Sequence, residues 1–229
     1  DLVTKEQALT NYKEIKSKVW HVFWYCISHW KNHLRESIKP LLEGYTLALG
    51  IGDMEYAPFS ANAYCSVLFI SGIELTEAEK ELAEYIEIIR ISNQDTILQY
   101  HQIDLQAVLN LRGMSVHPSR LIGASYDENK MLPIHTKKKA NDILFLMYFT
   151  SLYLKYIFDN INEALENLES ARLYIDSVLS LPFVPLINFF DSLIKLSAYT
   201  QIKNSDQKKI FLKNVLKNQN KMKKWAFHA

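Results

Sequence analysis

Two pairs of side chains have the spacing of metal ligands. In "SHWKNH", His29 and His33 stand at i and i+4, and further on His101 and Asp104 stand at i and i+3. On a continuous helix either pair shares one face. The chemistry they suggest is zinc or di-metal hydrolysis, which needs further convergent ligands. The chain has no His-Glu-x-x-His run and no Glu-x-x-His pair to supply them. A helical metal-dependent hydrolase is therefore the least favoured function, and neither metal nor cofactor is expected. The plainer reading sets His29 and His33 at a helix end and His101 partly buried on an apolar face.

A second chemical signal is the Gly50-x-Gly52 turn in "LALGIGDMEYAPF". A phosphate cradle needs a strand before such glycines, or a Gly-Lys-Ser/Thr after them. The preceding "KPLLEGYTLAL" is helical in pattern and no such lysine follows. The pair reads as a helix stop, with a left-handed glycine ending one helix and Asp53 capping the next. No nucleophile stands out: there is no Gly-x-Ser-x-Gly elbow, and Cys26 and Cys65 lie in apolar stretches. Catalysis within this chain is not expected.

The elements that hold these residues recur with a regular beat. Gly52, Gly72, Asn93 and Gly113 stand about 20 residues apart, and Asn160, Ser180 and Thr200 repeat the interval. Between them apolar residues keep three-or-four spacing, as in Tyr56, Phe59, Ala63, Val67 and Ile70. The pattern predicts helices over 5–30, 34–49, 54–71, 75–91, 95–112, 141–158, 161–179, 184–199 and 206–226. Pairs of such helices make hairpins of about 40 residues that stack on one another. The fold expected is all-α, a solenoid of degenerate, TPR-like helical hairpins. Residues 1–113 form a first group of hairpins, 114–140 a long connection containing Pro118, Gly123 and Pro133, and 141–229 a second group.

The totals agree with this architecture. Of 229 residues 48% are hydrophobic, while six glycines and six prolines are too few for the many turns of an all-β chain. A net charge of +1 gives no electrostatic reason to expect nucleic acid as a partner. Two cysteines suit a reducing, cytoplasmic compartment. The polar amino end lacks a secretory core, and the chain reads as a piece excised from a longer polypeptide. The apolar run within residues 137–160 is too short for a membrane span and is expected to be a helix buried on all sides.

"DNINEALENLESARLY", from residue 159, resembles the second half of a tetratricopeptide repeat, with Ala164, Leu168 and Ala171 at its small, large and small positions. Lys155 stands at the repeat's usual tyrosine position, so the repeat is degenerate. A wider resemblance rests on "HWKNHLRESIKPLLEGYTLALGIGDMEYAPFSANAYCSVLFISG", "HQIDLQAVLNLRG", "LIGASYDENKMLP", "VPLINFFDSLIKLSAY" and "NQNKMKKWAFHA". These segments resemble the helical-repeat region of large bacterial, especially cyanobacterial, signalling proteins. Such proteins carry a serine/threonine kinase domain, a predicted ATPase of the AAA or STAND type, a GAF domain and often a histidine kinase. The resemblance implies a non-catalytic regulatory module whose partners are the attached ATPase, kinase and GAF domains, together with a peptide, protein or small ligand. A passive scaffold between catalytic domains is the alternative.

For an interaction surface the sequence offers Trp20, Trp24 and Trp30 in the aromatic first helix, with Tyr64 and His101 further on. It also offers Lys221, Lys224 and Trp225 in the last helix and its approach, where eight lysines from Lys203 to Lys224 face Asp206 alone. A lysine-rich solvent face is the plainer account of that last helix.

Overall fold

The computed structural model describes residues 2–228, with side chains from residue 11 to residue 227. Among the described residues it is all-helical, and the one extended pairing is an isolated bridge between Ile122 and Asp127. The ten helices are α1 (Leu2–His21), α2 (Ile38–Gly50), α3 (Tyr56–Ile70), α4 (Leu75–Ile91), α5 (Asp95–Leu111), α6 (Glu128–Lys138), α7 (Asn141–Ile157), α8 (Ile161–Arg172), α9 (Phe183–Tyr199) and α10 (Ser205–His228). They form two compact units, residues 1–108 and 109–229, with the boundary inside α5.

In the first unit, α1 packs on α2, α2 on α3 and α3 on α4, and α1 also meets α3. Helix α3 is the centre, buried almost continuously from Ala57 to Leu68. Its alanines at 57, 61 and 63 are fully covered, and their small side chains let neighbouring helices approach closely. Tyr85 lies edge-to-face with both Tyr45 and Tyr64, at centroid distances of 5.0 and 5.7 Å. Such pairs add about 0.5–1.5 kcal/mol beyond the area they bury.

The turns are built as their sequence suggests. Gly52, Gly72, Asn93 and Gly113 all sit in the left-handed region, with φ between 55° and 75°. After Gly52, the Asp53 carboxylate accepts hydrogen bonds from the backbone N–H of Glu55 and Tyr56 at 3.2 and 3.0 Å, capping α3. A Cβ at either Gly50 or Gly52 would meet nothing within 4 Å, so only backbone conformation separates the two positions. Gly52→Ala is expected to cost about 1 kcal/mol through its positive φ. Gly50→Ala, in the last turn of α2, should be neutral or stabilise by about 0.5 kcal/mol. Urea denaturation of the two variants checks this, and equal effects would contradict it.

In the second unit, α7 packs on α8, α8 on α9 and α9 on α10, while α7 also meets α6 and α9. Helix α7 is buried on nearly all sides, with Phe145, Leu152 and Leu154 fully covered. No helix among the described residues is long and apolar enough to cross a membrane. The face that α8 buries consists of Ile161, Ala164, Leu168 and Ala171.

The connection at 114–140 holds a helix that periodicity does not show. Asn110 organises its start, donating its amide to the carbonyls of His117, Pro118 and Arg120. Helix α6 begins where Asp127 accepts from the N–H of Asn129 at 3.1 Å, and ends at Lys139 in the left-handed region. The Nε2 atom of His135 lies 2.9 Å from the Tyr126 hydroxyl, and both residues are buried. A second departure concerns the segment expected as one helix over 161–179. It breaks at Arg172 and resumes as a 3₁₀ turn over Ile175–Val178.

Candidate functional site

The metal-type pairs do not assemble. The expected helix over 5–30 changes character at His21, becoming π-helical over Val22–Ile27 and a 3₁₀ turn over Ser28–Trp30. His29 and His33 therefore do not share a helical face. His33 instead uses Nδ1 to accept the N–H of Arg35 at 3.2 Å, capping the next 3₁₀ turn. Among the described residues no three His, Cys, Asp or Glu side chains form a metal-ligating group.

His101 and Tyr64, expected at an interaction surface, are core residues. His101 is fully buried, with Nε2 2.6 Å from the Leu82 carbonyl, and burial holds its pKa down at about 4. Tyr64 is buried on α3 and donates its hydroxyl to Glu81 at 3.1 Å. Both lie on the inward stripes of their helices, where polar groups are retained by finding partners. Trp20, Trp24 and Trp30 are each half-buried. Lys16 Nζ lies 4.2 Å above the Trp20 ring, Trp24 packs edge-on against Phe23, and Trp30 lies against His29. Lys224 is exposed on α10.

Lys221 and Trp225 belong to a different setting. They line a pocket of about 280 Å³ between α9, α10 and the end of α8, inside the second unit. Its cations are Arg172, Lys217 and Lys221, and among the described residues no carboxylate lines it. Its neutral donors and acceptors are the amides of Asn188, Asn214 and Asn218, and Trp225, Val184 and Ile187 form an apolar wall. The helix repeat places these groups together: 214, 217, 218, 221 and 225 fall on one face of α10, and 184, 187 and 188 on one face of α9.

Beneath the pocket lies a buried polar node. Asp191 is fully buried on α9, and its Oδ2 accepts from Arg172 and, at 2.9 Å, from the Asn218 amide. Lys195 Nζ, also buried, lies 2.7 Å from Asp191 Oδ1. Asn188 donates to the Asn218 carbonyl at 3.1 Å. The node thus ties α8, α9 and α10 together and fixes the Arg172 guanidinium at the pocket. Burial, and then repulsion from Arg172, lower the pKa of Lys195 from 10.5 to about 8.

The sequence pointed to Lys221 and Trp225 but missed Arg172, Lys217 and the three asparagines. One readable signal was available: Asp191 and Lys195 stand at i and i+4 within the otherwise apolar "FVPLINFFDSLIKLSAY", where an opposite-charge pair must be buried together. Comparison with protein-family models, with curated proteins and with solved structures gives no significant match, so the site is read from its own geometry.

Proposed function

We propose that the chain is a non-catalytic regulatory module of stacked, TPR-like helical hairpins that receives a peptide, protein or small ligand and biases attached ATPase or kinase domains. The supporting observation is the packing order within each unit. Successive helices pack on their chain neighbours, and α1 on α3 and α7 on α9 add the contact between alternate helices that stacking of hairpins produces. The buried Ala164, Leu168 and Ala171, at the repeat's small, large and small positions, agree with it. Ligand binding would act by favouring one arrangement of hairpins or of interdomain contacts.

The test uses a parent polypeptide carrying kinase or ATPase domains. Replacing residues 1–229 with an unrelated helical solenoid of equal span should abolish regulated output while leaving basal catalysis intact. Regulation that survives the replacement would reduce the chain to a spacer.

A further inference from the structure

We infer that the pocket between α9 and α10 is a binding site for a small organic anion, a phosphate or carboxylate carried on an apolar or planar body. This deepens the proposed ligand-receiving role, but the binding itself rests on the pocket alone. Arg172, Lys217 and Lys221 present three positive charges to a cavity of about 280 Å³ that no acidic side chain among the described residues lines. That volume lies just below the range usual for drug-sized ligands, which selects a small one.

The charge balance extends below the pocket. Asp191 is the carboxylate of the node, and it already faces both Lys195 and Arg172. The node and the pocket lining therefore hold four cations to one anion, with Glu169 of α8 the further carboxylate that acts on Lys195. Repulsion between Arg172 and Lys195 is felt in the lowered pKa of Lys195. An anion placed against Arg172, Lys217 and Lys221 relieves that repulsion, and the planar guanidinium is matched to oxyanions in geometry as well as charge.

The rest of the lining specifies the remainder of the ligand. The amides of Asn188 and Asn218 are held in place, the first by its bond to the Asn218 carbonyl and the second by Asp191. Half-buried Trp225, with Val184 and Ile187, forms a wall that a hydrated inorganic ion would not cover. The ligand class is therefore an anionic head on an apolar or aromatic body.

Titration calorimetry of the 229-residue chain at low salt, with phenyl phosphate, benzoate and inorganic phosphate as probes, tests the site. Phenyl phosphate or benzoate should bind at one site and more tightly than inorganic phosphate, and the tighter of the two identifies the head group. The double variant Lys217→Gln/Lys221→Gln should weaken that binding about tenfold or more. The double variant Lys223→Gln/Lys224→Gln removes equal charge from the same helix outside the pocket and should leave it unchanged. Trp225→Leu should narrow the gap between phenyl phosphate and inorganic phosphate. Absence of saturable binding, or equal weakening by the two double variants, would overturn the site. A failure here leaves the domain-replacement result intact, so the two readings fail separately.

Discussion

Asp191→Ala is expected to destabilise the protein by about 3–5 kcal/mol, the cost of breaking a buried ion pair by removing one partner. The carboxylate is 1% exposed, accepts hydrogen bonds from Arg172 and Asn218, and forms an ion pair with Lys195. Without it, Lys195 keeps an ammonium in a site that burial and Arg172 already make unfavourable for charge. The Asn218 amide loses its acceptor, and Arg172 loses the contact that holds it at the pocket. Lys195→Met in the same chain removes the orphaned charge and keeps most of the side-chain volume. The coupling between the two substitutions should then be about 1–3 kcal/mol. Urea denaturation of the parent, the two single variants and the double variant measures all of these terms. A cost for Asp191→Ala of about 0.5 kcal/mol or less, in the range of ordinary surface substitutions, would show that the node does not hold these helices together.

The helices and turns were largely legible because they depend on local rules. Gly52, Gly72 and Gly113 announce left-handed helix stops, and Asn93 does so because its short polar side chain tolerates that conformation. The buried α7 could be read from an apolar run too short to span a bilayer. Helix α6 was not legible because Pro133 lies inside it and its stability comes from elsewhere. It depends on the Asp127 cap and on burial of Tyr126 and His135. The His29–His33 spacing misled for the opposite reason: i to i+4 implies a shared face only on an unbroken α-helix, and this one becomes π-helical at Val22. The pocket was half legible. Lys221 and Trp225 share a helix and can be paired by spacing, whereas Arg172 and Asn188 reach them across turns that no periodicity encodes.

The first unit should show an unusual dependence of stability on pH, set chiefly by the buried Asp104 and His101 and by the half-buried His21, with His29 shifted in the same direction as the other histidines. Burial raises the pKa of Asp104 from 3.8 to about 7, against a smaller lowering by the nearby Ser66 hydroxyl. Burial lowers His21 and His101 from 6.5 to about 4. Around Asp104 stand Ser66, Tyr25 and Cys65, and burial raises the pKa of both the Tyr25 hydroxyl and the Cys65 thiol, so none of them supplies a cation at neutral pH. The folded state holds the Asp104 proton where the unfolded chain has lost it. Its stabilising contribution is thus complete below pH 3.8 and disappears as pH rises through about 7. The histidines act in the other direction. Their contribution is complete above pH 6.5 and is lost as pH falls towards about 4.

Between those limits His21 and His101, joined by His29 and by His135 of the second unit, whose pKa values burial also lowers, oppose one aspartate, so the parent chain should gain stability from about pH 4 to about pH 6.5 and then lose a little up to about pH 7. Asp104→Asn removes the opposing contribution without adding charge. Relative to the parent, the variant should gain about 4 kcal/mol between about pH 4 and about pH 8, its own curve being steeper in acid and flat above about pH 6.5. Urea denaturation across that range measures the difference, with Trp20, Trp24 and Trp30 reporting on the first unit. A stability difference that does not change with pH would mean that Asp104 stays ionised in the core throughout. The Ser66 hydroxyl would then have to outweigh the burial that the packing of α3 against its neighbours imposes.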